Sequence, residues 1–427
     1  MYLIEKHIIN FNHPFYKEID FICFLSKNLY NRANYIIRQK FIETSKLKEQ
    51  GMIDHAIWLK YQDVRRLLLK DENYMALPRK VSNQILMLLD KNWKSFFKSI
   101  RDWKVNPGKY KGMPKLPKYL HKTKGRFGLM YEMGAISAKE IKKCRIKLSG
   151  TNISIPFFCD KTDLIGARIS IITGGYKIET IYKKQIQPLK EDNNSYVGAD
   201  PGVNNLLTLT SNRPGVKPVI INGKPVKSIN QFYNKKLAQL KSELPKGVYT
   251  SKRIKRLVQK RDNKIDDYFN KASNIVLDFL LFSESNTLVI GDTKDWKQNI
   301  DIGDENNQKF CYIPFEKLFS KIEYKLKING INYIPTEESY TSKASFLNLD
   351  QIPVYKKNNQ EKYKFSGYRP QRSWYKIKGE KTYINADVNG SYNIIRKVVP
   401  ENKLLAISLN GIEGFAVIPS RMHIRTR

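Results

Sequence analysis

Residues 2–12 mix Ile and Phe with polar positions, and this pattern reads as a strand. From about residue 24 to residue 104 the apolar positions recur at helical spacing. Leu29, Ala33, Ile36 and Phe41 mark one helix. Leu59, Val64, Leu67 and Leu68 mark a second, and Val81, Ile85, Leu88, Leu89, Trp93 and Phe96 mark a third. Pro78 sits at the favoured early position of that third helix. Three or four amphipathic helices are therefore expected as an all-α insert. Asn106-Pro107-Gly108 breaks the pattern, and the basic, Pro-rich stretch 112–120 predicts an extended arm or a plain linker. Residues 144–184 are strand-rich, with Gly174-Gly175 signalling a hairpin between 169–173 and 176–181. The early strand and these later ones predict one small β-barrel, interrupted by the helices.

The second half opens near Glu191. Residues 196–200, 206–210 and 216–221 read as three antiparallel strands. A long charged region, 228–282, reads as helical with a break at Pro245-Lys246-Gly247. Then come a short buried strand (287–292), a helix (314–328), a strand (331–337), an aromatic and basic stretch, and a last helix (386–398). Three strands, helix, strand, helix, strand, helix is the order of an RNase H-like domain. Such a domain carries a mixed sheet flanked by helices, and right-handed crossovers limit the alternatives.

Charge narrows the class of partner. The 427 residues carry 76 Lys and Arg against 40 Asp and Glu, a formal charge of +36. That excess implies a large polyanion, nucleic acid before a membrane surface. Aromatics make up 12% of the chain, and their closeness to Lys and Arg suits stacking on bases beside phosphate contacts. The four cysteines (Cys23, Cys144, Cys159, Cys311) are scattered and form no C-x-x-C pair, which argues against a disulfide framework or zinc ribbon. No signal peptide or membrane span is expected, and the protein is expected to be cytoplasmic, bacterial, and on the nucleoid when bound to DNA.

Three acidic residues stand out. Asp200 ends the run Tyr196–Asp200, and Pro201 biases it towards an extended conformation. Asp387 opens the last helix. A third carboxylate comes from a neighbouring strand end, with Glu338 preferred, then Asp292, then Glu337. Strand alternation lets only one of Glu337 and Glu338 face a given site. Singly, Asp200 is compatible with a turn and Asp387 with a helix N-cap. In this fold order they point to a two-magnesium phosphodiester-cleaving centre, since magnesium takes hard carboxylate oxygens and keeps several waters.

Gly198-Ala199-Asp200-Pro201-Gly202-Val203-Asn204-Asn205-Leu206, Tyr340-Thr341-Ser342-Lys343 and Asn385-Ala386-Asp387-Val388-Asn389-Gly390-Ser391-Tyr392-Asn393-Ile394 together resemble TnpB, the transposon-encoded RNA-guided nuclease related to type V CRISPR effectors and Fanzors. Val289-Ile290-Gly291-Asp292 with Trp296-Lys297-Gln298, and Lys115–Tyr119, add weaker support. The resemblance implies an α/β and β+α multidomain protein with an RNase H-like (RuvC) nuclease domain. It also implies an N-terminal β-barrel (wedge-like) carrying an inserted helical recognition domain. The corresponding segments are 1–18 with 110–188 for the barrel, 19–109 for the helices, 189–338 with 385–427 for the nuclease, and 339–384 for an insert.

The resemblance makes Asp200, Glu338 and Asp387 the catalytic, metal-binding acids, with Mg2+ (two ions, or Mn2+) as cofactor. Glu338 looks like the relocated Glu of a rearranged subgroup, because many relatives carry Glu where Gly291 stands here. Paired cysteines are missing from 339–384, so no zinc is expected, and Tyr355, Tyr363, Phe365, Tyr368, Trp374 and Tyr375 are expected to hold the insert by packing, with nucleic-acid contact as the other reading. Lys343 is a candidate phosphate contact or a solvated lysine. The implied partners are a guide RNA from the transposon end and target double-stranded DNA next to a short flanking motif. Three other readings stand beside this one: a nuclease-inactive guided repressor, a guide-independent transposase or integrase, and a non-catalytic RNA-binding protein.

Overall fold

The mixed pattern at the start of the chain becomes β1 (Tyr2–Asn10), whose alternate residues are the more buried. In this computed structural model, residues 1–158, 163–292, 313–354, 363–371, 373–379, 381, 383–399 and 419–425 are described. The chain divides into two units, Met1–Lys184 and Gln185–Arg427.

In the first unit β1 pairs antiparallel along its whole length with β6 (Gly175–Lys183). β6 forms the expected hairpin with β5 (Leu164–Ile172), and β2 (Leu129–Glu132) adds to β5. The sheet order is β1-β6-β5-β2, while β3 (Arg145–Lys147) and β4 (Ser154–Pro156) pair separately. Among the described residues this is an open sheet rather than the closed barrel expected. Its apolar face is covered by helices, so burial does not require closure.

Those helices are α1 (Tyr16–Glu49), α2 (Tyr61–Leu68), α3 (Glu72–Met75) and α4 (Arg79–Val105). A further short helix, α5 (Ala138–Ile141), precedes β3. Leu29, Ala33, Val64, Val81, Ile85, Leu89 and Trp93 are buried, as their spacing requires. Leu67 and Leu88 point outwards, 62% and 45% exposed. Pro78 is the N-cap of α4 rather than part of its first turn. Helices and strands share one apolar core running from Ile9 through Trp93 to Ile178. The Pro-rich arm is strapped to α1: Asn34 Nδ2 donates to Pro117 O (3.0 Å) and Asn31 Nδ2 to Leu120 O (2.9 Å). Buried Asn34 also accepts from Trp93 Nε1 at 3.0 Å, so its polar atoms are matched inside the core.

The second unit holds β7 (Tyr196–Pro201), β8 (Asn205–Ser211) and β9 (Val219–Asn222) as an antiparallel set. After α6 (Lys224–Ser242) and α7 (Lys252–Phe282), β10 (Thr287–Gly291) returns parallel to β7. α8 (Phe315–Ile328) leads to β11 (Asn332–Thr336), parallel to β10, and α9 (Ala386–Arg396) follows the insert. Every residue of β10 is buried, as expected of a central parallel strand. The sheet order is β11-β10-β7-β8-β9 followed by β15 (Ser420–Met422), an edge strand with no clear signal in the sequence. Val197, Ala199, Leu209, Leu288 and Ile290 face α7 and α8, while Tyr196 joins the core under α9.

The insert contains a three-stranded sheet of β12 (Gly367–Gln371), β13 (Trp374–Ile377) and β14 (Tyr383–Asn385). Its aromatics are partly buried and partly exposed. Tyr375 is buried and its hydroxyl donates to Lys343 O at 2.9 Å, and Phe346 stacks on Tyr392 with centroids 4.5 Å apart. Tyr368 and Trp374 stand 47% and 38% exposed. Tyr355, Cys159, Cys311 and Trp296-Lys297-Gln298 lie outside the described residues. Cys23 and Cys144 are free thiols. Among the described residues no helix is long and apolar enough to cross a membrane.

Candidate active site

Asp200 lies opposite Thr208 in the β7–β8 pairing. Alternation along β7 turns it, with Gly198, towards α9. Both contacts are close: a Cβ on Gly198 would meet Ser391 O at 2.3 Å, and one on Gly390 would meet Asp200 Oδ2 at 2.7 Å. Ser391 Oγ donates to Thr208 O (3.0 Å), which fixes α9 against the strand pair. Small residues in the Gly198-Ala199-Asp200 and Asn389-Gly390-Ser391 runs thus bring the helix onto the strand that carries the acid.

Asp387 occupies the first turn of α9, where the helix dipole favours a negative charge. Asn385 caps that turn, its Oδ1 accepting from the backbone of Asp387 (3.0 Å) and Val388 (3.2 Å). Asn205 Nδ2 donates to Asp387 Oδ2 at 2.6 Å, and an Arg369 guanidinium nitrogen stands 3.8 Å from Oδ1. Arg369 also donates to Ala386 O (3.1 Å). Sequence reasoning missed Arg369, which lies in the insert with no local signature. Asn205 was quoted in the strand motif without a role.

Glu338 lies two residues beyond Thr336, which pairs with Gly291. A Cβ built on Gly291 would come within 1.9 Å of Glu338 Oε1 and 2.5 Å of its Cδ. The Glu338 carboxylate therefore fills the volume that a side chain at residue 291 would take. Its Oε1 is buried without a hydrogen-bond partner. Burial first, then the charge of Asp200, holds the Glu338 carboxyl well above its usual range. Asp200 is pushed up to about 8, mainly by burial and then by Asp387, with Arg369 partly opposing. Buried carboxyls that raise one another's pKa mark a candidate functional site.

Of the other candidates, Glu337 is engaged elsewhere, whereas Asp292 stays within electrostatic reach of Glu338. Glu337 accepts from Ser339 N (2.6 Å) and pairs with Lys397. Burial raises its pKa, but these bonds outweigh that effect and hold it below the usual range. Asp292 donates its backbone N–H to Thr336 O at 2.6 Å, and its charge acts on Glu338. Lys343 is exposed, with Nζ 5.8 Å from the centroid of the Tyr340 ring. The cations acting on the buried acids are Arg369 on Asp200 and Lys397 on Glu338.

Among the described residues no three His, Cys, Asp or Glu side chains are placed to hold one metal ion together. The group still suits hard divalent cations. It offers an unpartnered buried carboxylate oxygen in an all-oxygen donor set, and magnesium keeps most of its waters and needs only one or two carboxylates per ion.

Two family models match the chain. One, described as a probable transposase of the OrfB IS605 type, covers residues 176–297 and contains Asp200 and Asp292. The other, the Cas12f1-like TNB domain, covers 315–394 and contains Glu337, Glu338, Lys343 and Asp387. No curated protein matches. Among solved structures, a Cas12f1–sgRNA–target DNA complex is 16% identical, covering 92% of this chain and 98% of that one, at a TM-score of 0.35. A CRISPR-Cas12f ternary complex is also 16% identical, with coverage of 87% and 81% and a TM-score of 0.34. CasPhi-2 (Cas12j) bound to crRNA is 8% identical, with coverage of 93% and 98% and a TM-score of 0.36. The two family models fall in order along residues 176–394, the stretch that carries Asp200, Glu338 and Asp387.

Proposed function

We propose that this protein is an RNA-guided DNA endonuclease whose second unit, an RNase H-like domain of RuvC type, cuts by metal-assisted phosphodiester hydrolysis. The observation that carries the reading is the Glu338 carboxylate seated over Gly291, buried, unpartnered and electrostatically coupled to Asp200. Asp200, Glu338 and Asp387 would hold two magnesium or manganese ions. Bound there, the ions supply an activated water and stabilise the leaving oxygen. Asn205 orients Asp387 through its amide, and Gly390 and Gly198 keep α9 close enough for Asp387 to reach the strand end. Metal binding requires ionised carboxylates, so the proton that Asp200 retains at neutral pH leaves on loading.

The net charge of +36 suits a long RNA and a heteroduplex. In this reading a guide RNA from the transposon end selects the target by base pairing. Segments 1–18 and 110–188, with the helices of 19–109, read a short flanking motif and duplex shape. Expression together with the native flanking DNA, followed by sequencing of the RNA that co-purifies, tests the partner. One abundant species with a fixed structured part and an end running past the transposon boundary is expected. A random sample of cellular RNA sinks the guided reading and favours a guide-independent transposase.

A further inference from the structure

The helical hairpin of α6 and the first half of α7 carries chemistry that the carboxylate site does not use. Residues 224–264 contain thirteen Lys and Arg against two acids, Glu243 and Asp262. The two helices enclose a cavity of about 370 Å³ whose lining includes Ile229, Phe232 and Tyr233 on one side and Lys260, Arg261 and Lys264 on the other. Phe232 is 62% exposed, although an apolar ring on a packed helix is ordinarily buried. The Arg261 guanidinium lies 5.0 Å from the Tyr233 ring centroid, and its Nε donates to Asn230 Oδ1 at 2.8 Å. In the connection between the helices, Tyr249 is 86% exposed. Accessible aromatic rings beside preset cations match the recognition chemistry of an unpaired nucleotide: a base face for the rings, phosphates for the lysines.

Position in the fold decides which nucleic acid. The buried side of α7 packs on Val197, Ala199, Leu288 and Ile290, whereas Asp200 and Gly198 face α9. The cavity therefore belongs to the helix layer on the opposite side of the sheet from the carboxylates. In the proposed reading the strand being cut lies on the carboxylate side of the sheet, away from this cleft.

We propose that this cleft binds an unpaired base of the RNA partner, stacked on Phe232 and Tyr233, with Lys260 and Lys264 on the adjoining phosphates. The assignment to RNA rests on the guided reading above.

The first test uses the full chain and a labelled single-stranded RNA of about 12 nucleotides, within the range of such sites. Phe232→Ala is expected to weaken binding by about 5- to 150-fold, the range for losing one stacked base. Phe232→Tyr should retain it, and duplex RNA of the same sequence should be unaffected. Lys260→Ala should lower the slope of log K against log salt by about 0.7. A Phe232→Ala effect within twofold, or an equal loss on duplex RNA, overturns the proposal. Phe232 is exposed, so its replacement leaves the fold intact. The second test applies ultraviolet cross-linking and mass spectrometry to the RNA-loaded protein on target DNA. A ribonucleotide adduct on Phe232 or Tyr233 is expected, and a deoxyribonucleotide adduct there overturns the RNA assignment. Guided cutting is read separately, so a protein that cuts under guidance but ignores Phe232→Ala loses only this proposal.

Discussion

At the scale of single residues, burial and neighbouring charge hold Asp200 and Glu338 towards their protonated forms. Asp200 has an ordinary value of 3.8 and is pushed up to about 8 in the fold. Between those values the folded chain holds a proton that the unfolded chain has released, so stability of the metal-free protein falls as pH rises from about 4 to about 8. In EDTA the melting temperature should drop between pH 5 and pH 8 by more in the wild type than in Asp200→Asn, and magnesium should restore it at pH 8. Equal pH dependence in both proteins would show that Asp200 does not carry this strain. Asn205→Ala removes a bond to Asp387 without removing a ligand and is expected to cost about 10–100-fold in metal affinity or activity, as for other groups that orient ligands. Titrating magnesium against cutting rate checks this, and an unchanged half-saturation point counts against it. Asp200 and Asp387 were legible in the sequence because short motifs surround them. Arg369 was not, because its approach to Asp387 arises only when the insert folds back.

At the scale of elements, the pairing of β10 with β11 explains how a carboxylate two residues past one strand comes to sit over the end of its neighbour. Gly291 leaves the room and Glu338 fills it. Glu338→Ala should abolish cutting, and Gly291→Glu in the same chain should return part of it. Gly291→Glu alone places two side chains in one volume and should lower the melting temperature. If the double variant stays as dead as Glu338→Ala while remaining folded, the two side chains do not share one position. Glu338→Gln compared with Asp292→Asn assigns the third ligand: activity kept in the first and lost in the second transfers the role to Asp292. Hydrophobic periodicity gave most elements of both units to within a few residues, since each buries one face. It missed β12–β14 and β15, which are short, partly exposed strands whose pairing depends on distant partners. It also overstated the order of the first sheet, because strand patterns do not show whether helices or strands cover the remaining edge.

At the scale of the whole molecule, the two units have separate cores. Trp93 sits at the centre of the first core, and Trp93→Ala should cost about 3–5 kcal/mol of that unit's stability while leaving the carboxylate geometry in place. Denaturant unfolding followed at each unit separately checks this, and simultaneous loss of both would contradict independent cores. Composition gives the net charge of +36, but where that charge lies required the fold. The α6–α7 hairpin and the carboxylate centre lie on opposite layers of one sheet, a relation absent from any local motif. The most direct test of the account is magnesium-dependent cleavage of a matched double-stranded DNA by the RNA-loaded protein, comparing wild type with Asp200→Ala. The account predicts cutting by the wild type alone, with RNA binding equal in both. Cutting that survives Asp200→Ala would place the catalytic centre elsewhere.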